Sequence, residues 1–359
     1  MATVTMKSLA AKYNDFLVPA LKIKAGGHKI EGGAHDLIGA SEYGVESVEV
    51  TLSQSAASAV VIKLNNVYDW ENRKFTSDIS DFILGEIVEV EMGYGSSLTS
   101  LFYGYVDEIT YELSENPSVR VTAVDVRRMM MGSKKSNVTH QVKSYSDAFD
   151  EVVKKYSAAY KTKNVDATKP LDADCIIQNG SDYEFITEEL CRKGNRDFFV
   201  HAGKLYFKEV SAELFYTVEM EWAKDLISFQ RRASFQDAVI RIMGQNPDKK
   251  EEVEAKVTVK SDDKQKSLVQ NETTQMDAAV EDTSDAKQVA EHKADEMKKQ
   301  ARQATGVCIG VPEIQPGGRV KIKNTDGKLI DGTYDIIEVK HSFSGDGYKT
   351  TFEVGGWKR

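Results

Sequence analysis

The chain has 359 residues, of which 41% are hydrophobic and 29% are charged, and its formal net charge at pH 7 is −9. This length allows two or three domains, because a single hydrophobic core seldom grows beyond about 250 residues. The composition is that of a folded protein, and the acidic balance argues against a nucleic-acid binder that neutralises phosphates. No apolar run of about 18 residues exists, so we expect no membrane insertion.

The N-terminal stretch MATVTMKSLAAKYNDFLVPALKI is interrupted by charged residues such as Lys7 and Asp15, and it lacks a signal-cleavage pattern. We therefore expect the protein to be made and folded in the cytoplasm. Its three cysteines, Cys175, Cys191 and Cys308, form no CxxC pair. Neither a disulfide framework nor a zinc site is indicated, so we expect three reduced thiols.

From Leu17 to about Val126 the pattern is typical of strands, with turns rich in Gly, Asn, Asp and Ser. The predicted strands are ALKIKAG, VESVEVTLS, SAVVIKL, EIVEVEMGYG, LFYGYVDEITYEL and SVRVTAVDV. Alternating runs offer one apolar row to a core. Six or more such strands predict an antiparallel barrel or sandwich.

The period changes to that of a helix near residue 140. SYSDAFDEVVKKYSAAY (144–160) places Phe149, Val152 and Val153 at helical spacing. Ser146 is the predicted N-cap of this first insert helix, because its hydroxyl can accept a bond from a free backbone N–H.

A second helix is predicted to begin at Ser181 or Asp182, with Glu184 as the capping-box partner. Gly194 is predicted to end it in a left-handed conformation. DFFVHAG and KLYFKEV then predict a hairpin around an Ala-Gly turn. Residues 140–210 therefore indicate a small α/β insert.

Strand patterns return after residue 215 in LISFQRRASF, AVIRIMGQ and VEAKVTV, and later in GVCIGVP, GGRVKIKN, GTYDIIEVKHSFS and YKTTFEVG. The polar residues 260–283 predict a loop or mobile excursion. Residues 284–304 predict a long helix that Ser284 caps. Because this helix is polar on most sides, it is predicted to be either a solvent-facing strut or a partner-binding surface.

Three segments carry a family resemblance: LGEIVEVEMGYGSSLTSLFYGYVDEI, then QNGSDYEFITEELCRKGNRDFFVHAGKLYFKE, then GVPEIQPGGRVKI with GTYDIIEVKHSFSGDGYKTTFEV. In this order they resemble the first barrel, the insert and the second barrel of the late control protein D family of phage tail hubs. They are equally similar to the hub portion of the VgrG spike proteins of contractile injection systems. The resemblance covers roughly residues 15–359.

The resemblance implies a homotrimer in which each chain supplies two similar barrels, so that three chains place six barrels in a ring. Such a ring would adapt a six-fold tail tube to a three-fold spike. The implied partners are a spike protein, the tail tube or a tube-initiator protein, and other baseplate proteins. DNA or protein cargo would pass through the lumen without specific binding. Because no repetitive β-helical extension follows the second barrel, we expect the spike to be a separate polypeptide.

Charge is unevenly distributed along the chain. Residues 1–130 hold 11 basic and 18 acidic side chains, a balance of −7, whereas the remainder has a balance of −2. We hypothesise that this acid lines the lumen, where it would repel the phosphates of passing DNA. Carboxylates found mainly on the outer wall would refute this hypothesis.

Cys191 and His201 are the residue types that a thiol nucleophile and its base require. Cys191, however, lies on the predicted apolar face of the second insert helix with Phe185, Ile186 and Leu190, where a cysteine behaves as a small hydrophobe. We therefore predict that both residues belong to the scaffold.

Glu184, Glu188 and Glu189 are the remaining candidates for a carboxylate pair that cleaves glycosides. A capping-box acid followed by a solvated helix face explains them more simply, because Arg192 and Lys193 lie nearby. We predict no catalytic role for these acids.

His341 follows Val339 on one face of a predicted strand, and no second ligand stands at metal spacing. It is predicted to be a hydrogen-bonded core or interface histidine. Pro316, Gly317 and Gly318 predict a tight turn, since GGR lacks the pattern of a phosphate loop. The sequence therefore indicates no catalytic, cofactor-binding or metal-binding residue, and no cofactor.

The predicted fold is mainly β with an α+β insert: two antiparallel β-barrel domains, a small α/β domain and one long helix. The predicted limits are 1–135 for the first barrel, 136–212 for the insert, and 213–359 for the second barrel with the polar loop and helix at about 260–304. We expect a non-enzymatic baseplate hub that is assembled into a phage tail or an extracellular injection particle.

Two alternatives remain. One is a tail-associated peptidoglycan hydrolase, although no acid and nucleophile constellation is found for it. The other is a carbohydrate-binding β-barrel module, which would need tryptophans to stack on sugars. The chain has only Trp70, Trp222 and Trp357, scattered along its length.

Overall fold

The computed structural model describes residues 2–26, 28–33, 44–76, 82–171, 175–209, 215–235, 237–246, 251–260, 266, 268, 270–276, 280, 283, 286–287, 289–291, 293–294, 297, 303–325 and 329–358. The strands of the N-terminal part are β1 (Thr3–Thr5), β2 (Pro19–Ala25), β3 (His28–Gly33), β4 (Gly44–Ser53), β5 (Ala59–Asn65), β6 (Tyr68–Asp69), β7 (Lys74–Phe75), β8 (Ile87–Tyr94), β9 (Ser97–Glu112) and β10 (Ser118–Val124). The central strands are β11 (Lys134–His140), β12 (Thr162–Val165), β13 (Ile176–Ser181), β14 (Arg196–His201) and β15 (Lys204–Glu209). The C-terminal strands are β16 (Thr217–Glu221), β17 (Leu226–Arg231), β18 (Asp237–Gln245), β19 (Glu252–Lys260), β20 (Asn271–Met276), β21 (Ala304–Ile309), β22 (Arg319–Lys323), β23 (Gly332–Ser344) and β24 (Gly347–Lys358).

The helices are fewer than the strands. They are α1 (Met6–Lys12), α2 (Val126–Gly132), α3 (Tyr145–Lys154) and α4, which consists of Asp182–Glu184, the π-helical Phe185–Cys191 and Arg192–Gly194. A 3-10 turn, Asn14–Phe16, follows α1. The prediction of a mainly β protein is therefore confirmed. None of the helices in the described ranges is long and apolar enough to cross a membrane.

Fourteen strands form one sheet. One path through it has the order β1-β16-β22-β23-β4-β5-β10-β9-β8-β2-β3, and β24, β21 and β17 extend it from β23. We call β2–β5 with β8–β10 the first half, and β1, β16, β17 and β21–β24 the second half. The second half is not purely antiparallel as predicted, because β16 pairs in parallel with both β1 and β22. Each half thus has seven strands, although barrel closure and the predicted domain limits stay predictions.

The two halves meet along a single strand pair. Near its start β23 pairs with Arg319–Ile322 of β22, and its residues Glu338–Ser344 pair antiparallel with Ser47–Ser53 of β4. Between these two stretches of β23, its pairing with β24 shifts register at Ile336 and Glu338, which marks a β-bulge or irregularity. We call the β4–β23 pairing the seam.

One hydrophobic core runs across the seam. Val48 and Val50 of β4, and Val339 and Phe343 of β23, are all fully buried in the same cluster. Because successive strand residues point to opposite faces, these four side chains enter the core from one face of the seam. The predicted strands of both halves therefore contribute to one continuous apolar interior.

The insert has its own core between two small sheets and two helices. β11 pairs with β13, and β14 lies beside β15, which also pairs in parallel with β12. Phe149 of α3 packs face to face on Phe207 at 4.6 Å between ring centroids and edge to face on Phe198 at 5.6 Å. These contacts confirm the predicted apolar face of the first insert helix.

The two insert helices begin and end partly as predicted. The N-cap of α3 is Ser144 and not Ser146, because the Ser144 hydroxyl accepts from the backbone N–H of Asp147 whereas Ser146 bonds with Thr168. For α4 the predicted N-cap Ser181 is confirmed.

The predicted end of α4 is wrong by one residue. Gly194 is the last helical residue, and Asn195 takes the left-handed conformation at φ 50°, ψ 54°. Asparagine tolerates this region better than most side chains, so glycine is not required there. The hairpin is confirmed, with Ala202 at φ 45° and Gly203 at φ 81° in its turn.

A third small core lies between the three-stranded sheet β19-β18-β20 and a helical segment. The described helical positions lie between 283 and 297, and three alanines, Ala286, Ala290 and Ala294, are buried against Ile240 and Ile242 of β18. The segment thus has a small-residue face that covers a sheet, which the mixed charges of its sequence concealed.

The polar stretch 260–283 was predicted to be a loop, but β20 lies within it and pairs in parallel with β18. Its six residues are all exposed, so they carry no apolar row for a sequence pattern to detect. Ser284, the predicted cap, is outside the described residues.

Candidate functional site

An aromatic cluster lies where the N-terminal helix meets both halves of the sheet. The Tyr94 ring is 5.6 Å from Tyr13, 5.1 Å from Phe16 and 5.7 Å from Tyr348, measured between centroids. The Tyr94 hydroxyl donates to the Gly310 carbonyl at 2.9 Å, from the first half to the second. Aromatic pairs at these distances add stability beyond their buried area, so the cluster ties the two halves together.

A buried carboxylate continues this connection. Glu313 Oε1 accepts from Lys12 Nζ at 2.6 Å and from the Tyr13 hydroxyl at 2.8 Å, and the Tyr13 hydroxyl also bonds to Thr99 of β9 at 3.0 Å. Although burial alone would lower the pKa of Lys12, the hydrogen bonds to Glu313 and Tyr13 raise it. Lys12 is therefore a charged partner for Glu313. This network was not predicted, since Glu313 lies about three hundred residues from Lys12 and Tyr13 along the chain.

His341 lies beside the aromatic cluster and is fully buried. Its Nε2 donates to the Ile314 carbonyl at 3.2 Å, and its Nδ1 accepts from the Tyr348 hydroxyl at 2.9 Å and lies 3.1 Å from the Thr350 hydroxyl. Burial lowers the pKa of His341 to about 3. The prediction of a hydrogen-bonded core histidine is confirmed.

The Pro316–Gly318 turn lies next to β22, and Gly317 has φ 85° as its turn requires.

A buried arginine fixes the chain where the first half ends and the insert begins. Arg127 is fully buried and forms an ion pair with Asp125, its Nη2 lying 2.6 Å from Oδ2. The guanidinium also donates to the Ser53 carbonyl at 2.9 Å and to the Ser58 hydroxyl at 2.8 Å. The arginine therefore holds the β4–β5 connection against the start of α2.

The insert contacts the first half at three further points. The Tyr183 hydroxyl of α4 donates to the Ser55 carbonyl, and Lys161 Nζ forms an ion pair with Glu89 of β8 at 2.9 Å. A side chain at Gly203 in the hairpin turn would reach the Tyr103 ring at 2.8 Å. The hairpin therefore packs so closely on β9 that only glycine fits there.

Inside the insert, a second buried carboxylate organises the helices. Asp182 accepts from the Tyr156 hydroxyl at 2.5 Å and from Gln178 Nε2 at 2.6 Å, and it pairs with Lys155. Although burial alone would raise the pKa of Asp182, the hydrogen bonds from Lys155, Tyr156 and Gln178 lower it. Asp182 therefore acts as an ionised anchor.

Cys191 and His201 lie in different surroundings. Cys191 is buried in the insert core with Phe185, and burial raises the pKa of its thiol. The His201 ring packs edge to face against Phe215 at 5.5 Å between centroids, and burial lowers its pKa to about 4. These environments disfavour a thiolate, so they support a scaffold role for both residues.

We expect only one of the three thiols to react rapidly with a thiol reagent under native conditions. Cys175 is partly exposed, whereas Cys191 and Cys308 are buried, and burial raises the pKa of both buried thiols. Titration with dithionitrobenzoate before and after unfolding in urea would count one thiol and then three. Fast labelling of Cys191 in the folded protein would contradict its burial.

The glutamates of α4 are explained by the helix itself. Glu184 completes the predicted capping box, because its Oε2 accepts from the Ser181 backbone N–H at 2.7 Å. Glu189 pairs with Lys193 one turn later at 2.5 Å. Within the described part of the chain, no group of three or more His, Cys, Asp or Glu side chains could hold a metal ion.

Part of the acidic excess of the N-terminal region is paired. Glu89 lies 3.6 Å from Lys24, and Glu91 lies 3.7 Å from Lys22. These pairs lie on one face of β2 and β8, at the side that Lys161 of the insert contacts. The pairs reduce the free negative charge on this face, and the acidic-lumen hypothesis stays a prediction.

Several solved structures share this fold. A 43 kDa tail protein of prophage MuSo2 from Shewanella oneidensis superposes with a TM-score of 0.71 and 15% sequence identity, over 93% of this chain and 98% of that chain. The E. coli c3393 protein, a type VI secretion component described as structurally similar to the T4 tail proteins gp27 and gp5, gives 0.58 and 12% over 94% and 79%. A chain of a Francisella PdpA-VgrG complex gives 0.56 and 10% over 98% and 60%.

The chain therefore shares its fold with a phage tail protein, a type VI secretion component and a chain of a PdpA-VgrG complex, which confirms at the level of fold the predicted resemblance to tail and VgrG-like hubs. A family model described as the Alg8 N-terminal domain matches residues 27–345, and the chain belongs to this family. A comparison with curated protein sequences finds no match.

Proposed function

We propose that this chain is a structural baseplate hub of a contractile phage tail or a related injection particle. In this proposal, three copies form a ring that adapts a six-fold tail tube to a three-fold spike. The observation that carries it is the sheet: each chain brings two seven-strand halves, joined side by side through the seam. Three chains would present six such halves.

The proposed partners follow from this role. A separate spike protein would bind one face of the ring, and the tail tube or a tube initiator would bind the other, with further baseplate proteins outside. The likeness to a type VI secretion component and to VgrG supports such partners, because both belong to assemblies of this kind by their descriptions. The protein would be made in the bacterial cytoplasm and reach its place within the assembled tail or particle.

The mass of the purified protein, alone and with its candidate spike, tests this proposal. We expect the complex to contain a multiple of three copies of the 40.0 kDa chain, measured by light scattering or native mass spectrometry. Since a spike can template its own hub, trimerisation only in its presence agrees with the proposal. A strictly monomeric chain that binds neither spike nor tube protein would refute it.

The proposal also holds that the hub is not an enzyme. The burial of Cys191 and the capping role of Glu184 support this, because neither side chain is free to attack a substrate. Incubation of purified peptidoglycan with the protein should release no soluble fragments, with a known muramidase as the positive control. Release of fragments that persists after further purification would favour the hydrolase alternative.

A further inference from the structure

A polar cleft of about 620 Å³ lies in the first half of the sheet. It is bordered by the end of β5, the β6–β7 hairpin and the connection between β9 and β10. Small-molecule sites in proteins typically have volumes of about 300–1,000 Å³. The cleft is therefore large enough for a short oligomer, and none of the connections described above uses it.

Trp70 forms an exposed aromatic wall of this cleft, with 64% of its surface accessible. Its ring meets Tyr68 edge to face at 5.2 Å, Tyr68 meets Phe75 at 5.2 Å, and Phe75 meets Tyr111 at 5.2 Å. Asp69 holds the turn in place, since its carboxylate accepts from the backbone N–H groups of the next residues. The contact with Tyr68 and the ordered turn restrict the indole before any ligand binds, which reduces the entropy lost on binding.

Several polar side chains of the cleft are uncommitted. The amides of Asn65, Asn66 and Asn116 and the carboxylates of Glu112 and Glu115 line it, and they make no side-chain hydrogen bond to any other residue that the structure describes. Amide groups both donate and accept, whereas carboxylates only accept. The cleft therefore offers a mixed set of donors and acceptors beside an apolar plane.

We propose that this cleft binds a neutral oligosaccharide, with one sugar ring stacked on Trp70. Sugar hydroxyls each donate and accept, so they match the mixed amide and carboxylate set. The apolar face of a pyranose matches the indole plane. Lys63 pairs with Glu46 at 2.8 Å, which leaves the negative charges of Glu112 and Glu115 to repel phosphorylated or sulfated glycans.

An arginine side chain of a partner protein is the competing ligand, because a guanidinium could stack on Trp70 beside the two free acids. It fits less well, since it has donors only and would leave the amide N–H groups of Asn65 and Asn116 unmatched. The proposal does not depend on the hub function, and the mass measurement above is unaffected by its outcome.

Fluorine NMR of the protein labelled with 5-fluorotryptophan tests the proposal, since the chain has three tryptophans. Triacetylchitotriose, cellotriose and maltotriose would be titrated, with the Trp70 signal assigned through Trp70→Phe. We expect a saturable shift of the Trp70 signal with at least one sugar, unchanged between low and high salt because the ligand is neutral. Trp70→Ala lacks the fluorine reporter, so its affinity would be compared with that of the wild type by isothermal titration calorimetry, and we expect binding to weaken at least about tenfold.

Trp222→Ala is the matched control, because Trp222 is also exposed, at 45%, but does not line the cleft. It should leave the affinity unchanged. Asn116→Ala provides a second variant in an exposed connection, expected to weaken binding several-fold even if Trp70→Ala fails to fold. No shift with any of the three sugars would overturn the proposal. So would salt-sensitive binding of an acetyl-Gly-Arg-Gly-amide peptide in place of the sugars.

Discussion

Replacement of Arg127 by methionine is expected to lower the free energy of unfolding by about 3–5 kcal/mol. The loss is large because Asp125, itself 2% exposed, would lose the guanidinium that pairs with it and would keep only the backbone N–H groups of Ser58 and residue 127 as donors. The Ser53 carbonyl and the Ser58 hydroxyl would also lose a donor. Urea unfolding monitored by circular dichroism measures the change as a shift in midpoint.

Arg128→Met is the matched control for this prediction, since the neighbouring side chain is 61% exposed and lies 4.0 Å from Asp107. An exposed pair of this kind contributes only about 0–1 kcal/mol. Arg127→Lys keeps the charge but not the fork of donors, so an intermediate loss is expected. Equal losses in Arg127→Met and Arg128→Met would show that the buried pair is not what holds the β4–β5 connection.

A second large effect is expected on acidification, through His341. Its pKa is about 3 in the folded chain, whereas an exposed histidine has a pKa near 6.5. Between these values the unfolded chain binds a proton that the folded chain does not, so stability falls as pH falls. The loss from this residue is about 1.4 kcal/mol per pH unit, or about 2 kcal/mol between pH 6.5 and 5.

His341→Gln isolates this contribution, because glutamine can still donate to the Ile314 carbonyl and does not titrate. The difference in unfolding free energy between wild type and variant should shrink by about 2 kcal/mol from pH 7 to pH 5. His201, whose pKa burial also lowers, is present in both proteins, and its charge repels that of His341, so the difference reports His341 together with this repulsion. A difference that stays constant from pH 7 to pH 4 would mean that His341 is protonated without cost.

Eleven of the fourteen strands of the two halves could be predicted from sequence because each buries an apolar row, whereas β1, β3 and β16 were not predicted. The apolar face of α4 could be predicted from its helical periodicity, and its capping box could be predicted from the spacing of Ser181 and Glu184. β20 escaped prediction because its side chains are all exposed, so no periodic signal exists. Local chemistry was also ambiguous at α3, where Ser144 and Ser146 are both able to cap and only tertiary contact with Thr168 selects between them.

The connections between elements could not be predicted from a single sequence. Lys12, Glu313 and Thr99 are far apart along the chain, and nothing in their local context marks them as partners. In the sequence, Trp70 is one of three scattered tryptophans. It can form the wall of a binding cleft only because the fold places Tyr68 and the cleft amides beside it. Both sites form through contacts between residues that are far apart in the sequence, and hydrophobic periodicity contains no information about such contacts.

The division of β23 between two neighbours has a mechanical consequence. A pull or twist applied to the second half passes into Glu338–Ser344 and is shared along the backbone bonds to β4. Rotation of one half against the other would have to break this pairing and open the common core at Val50 and Phe343 together. The described strands of the two halves therefore transmit load as one unit and not as two hinged domains.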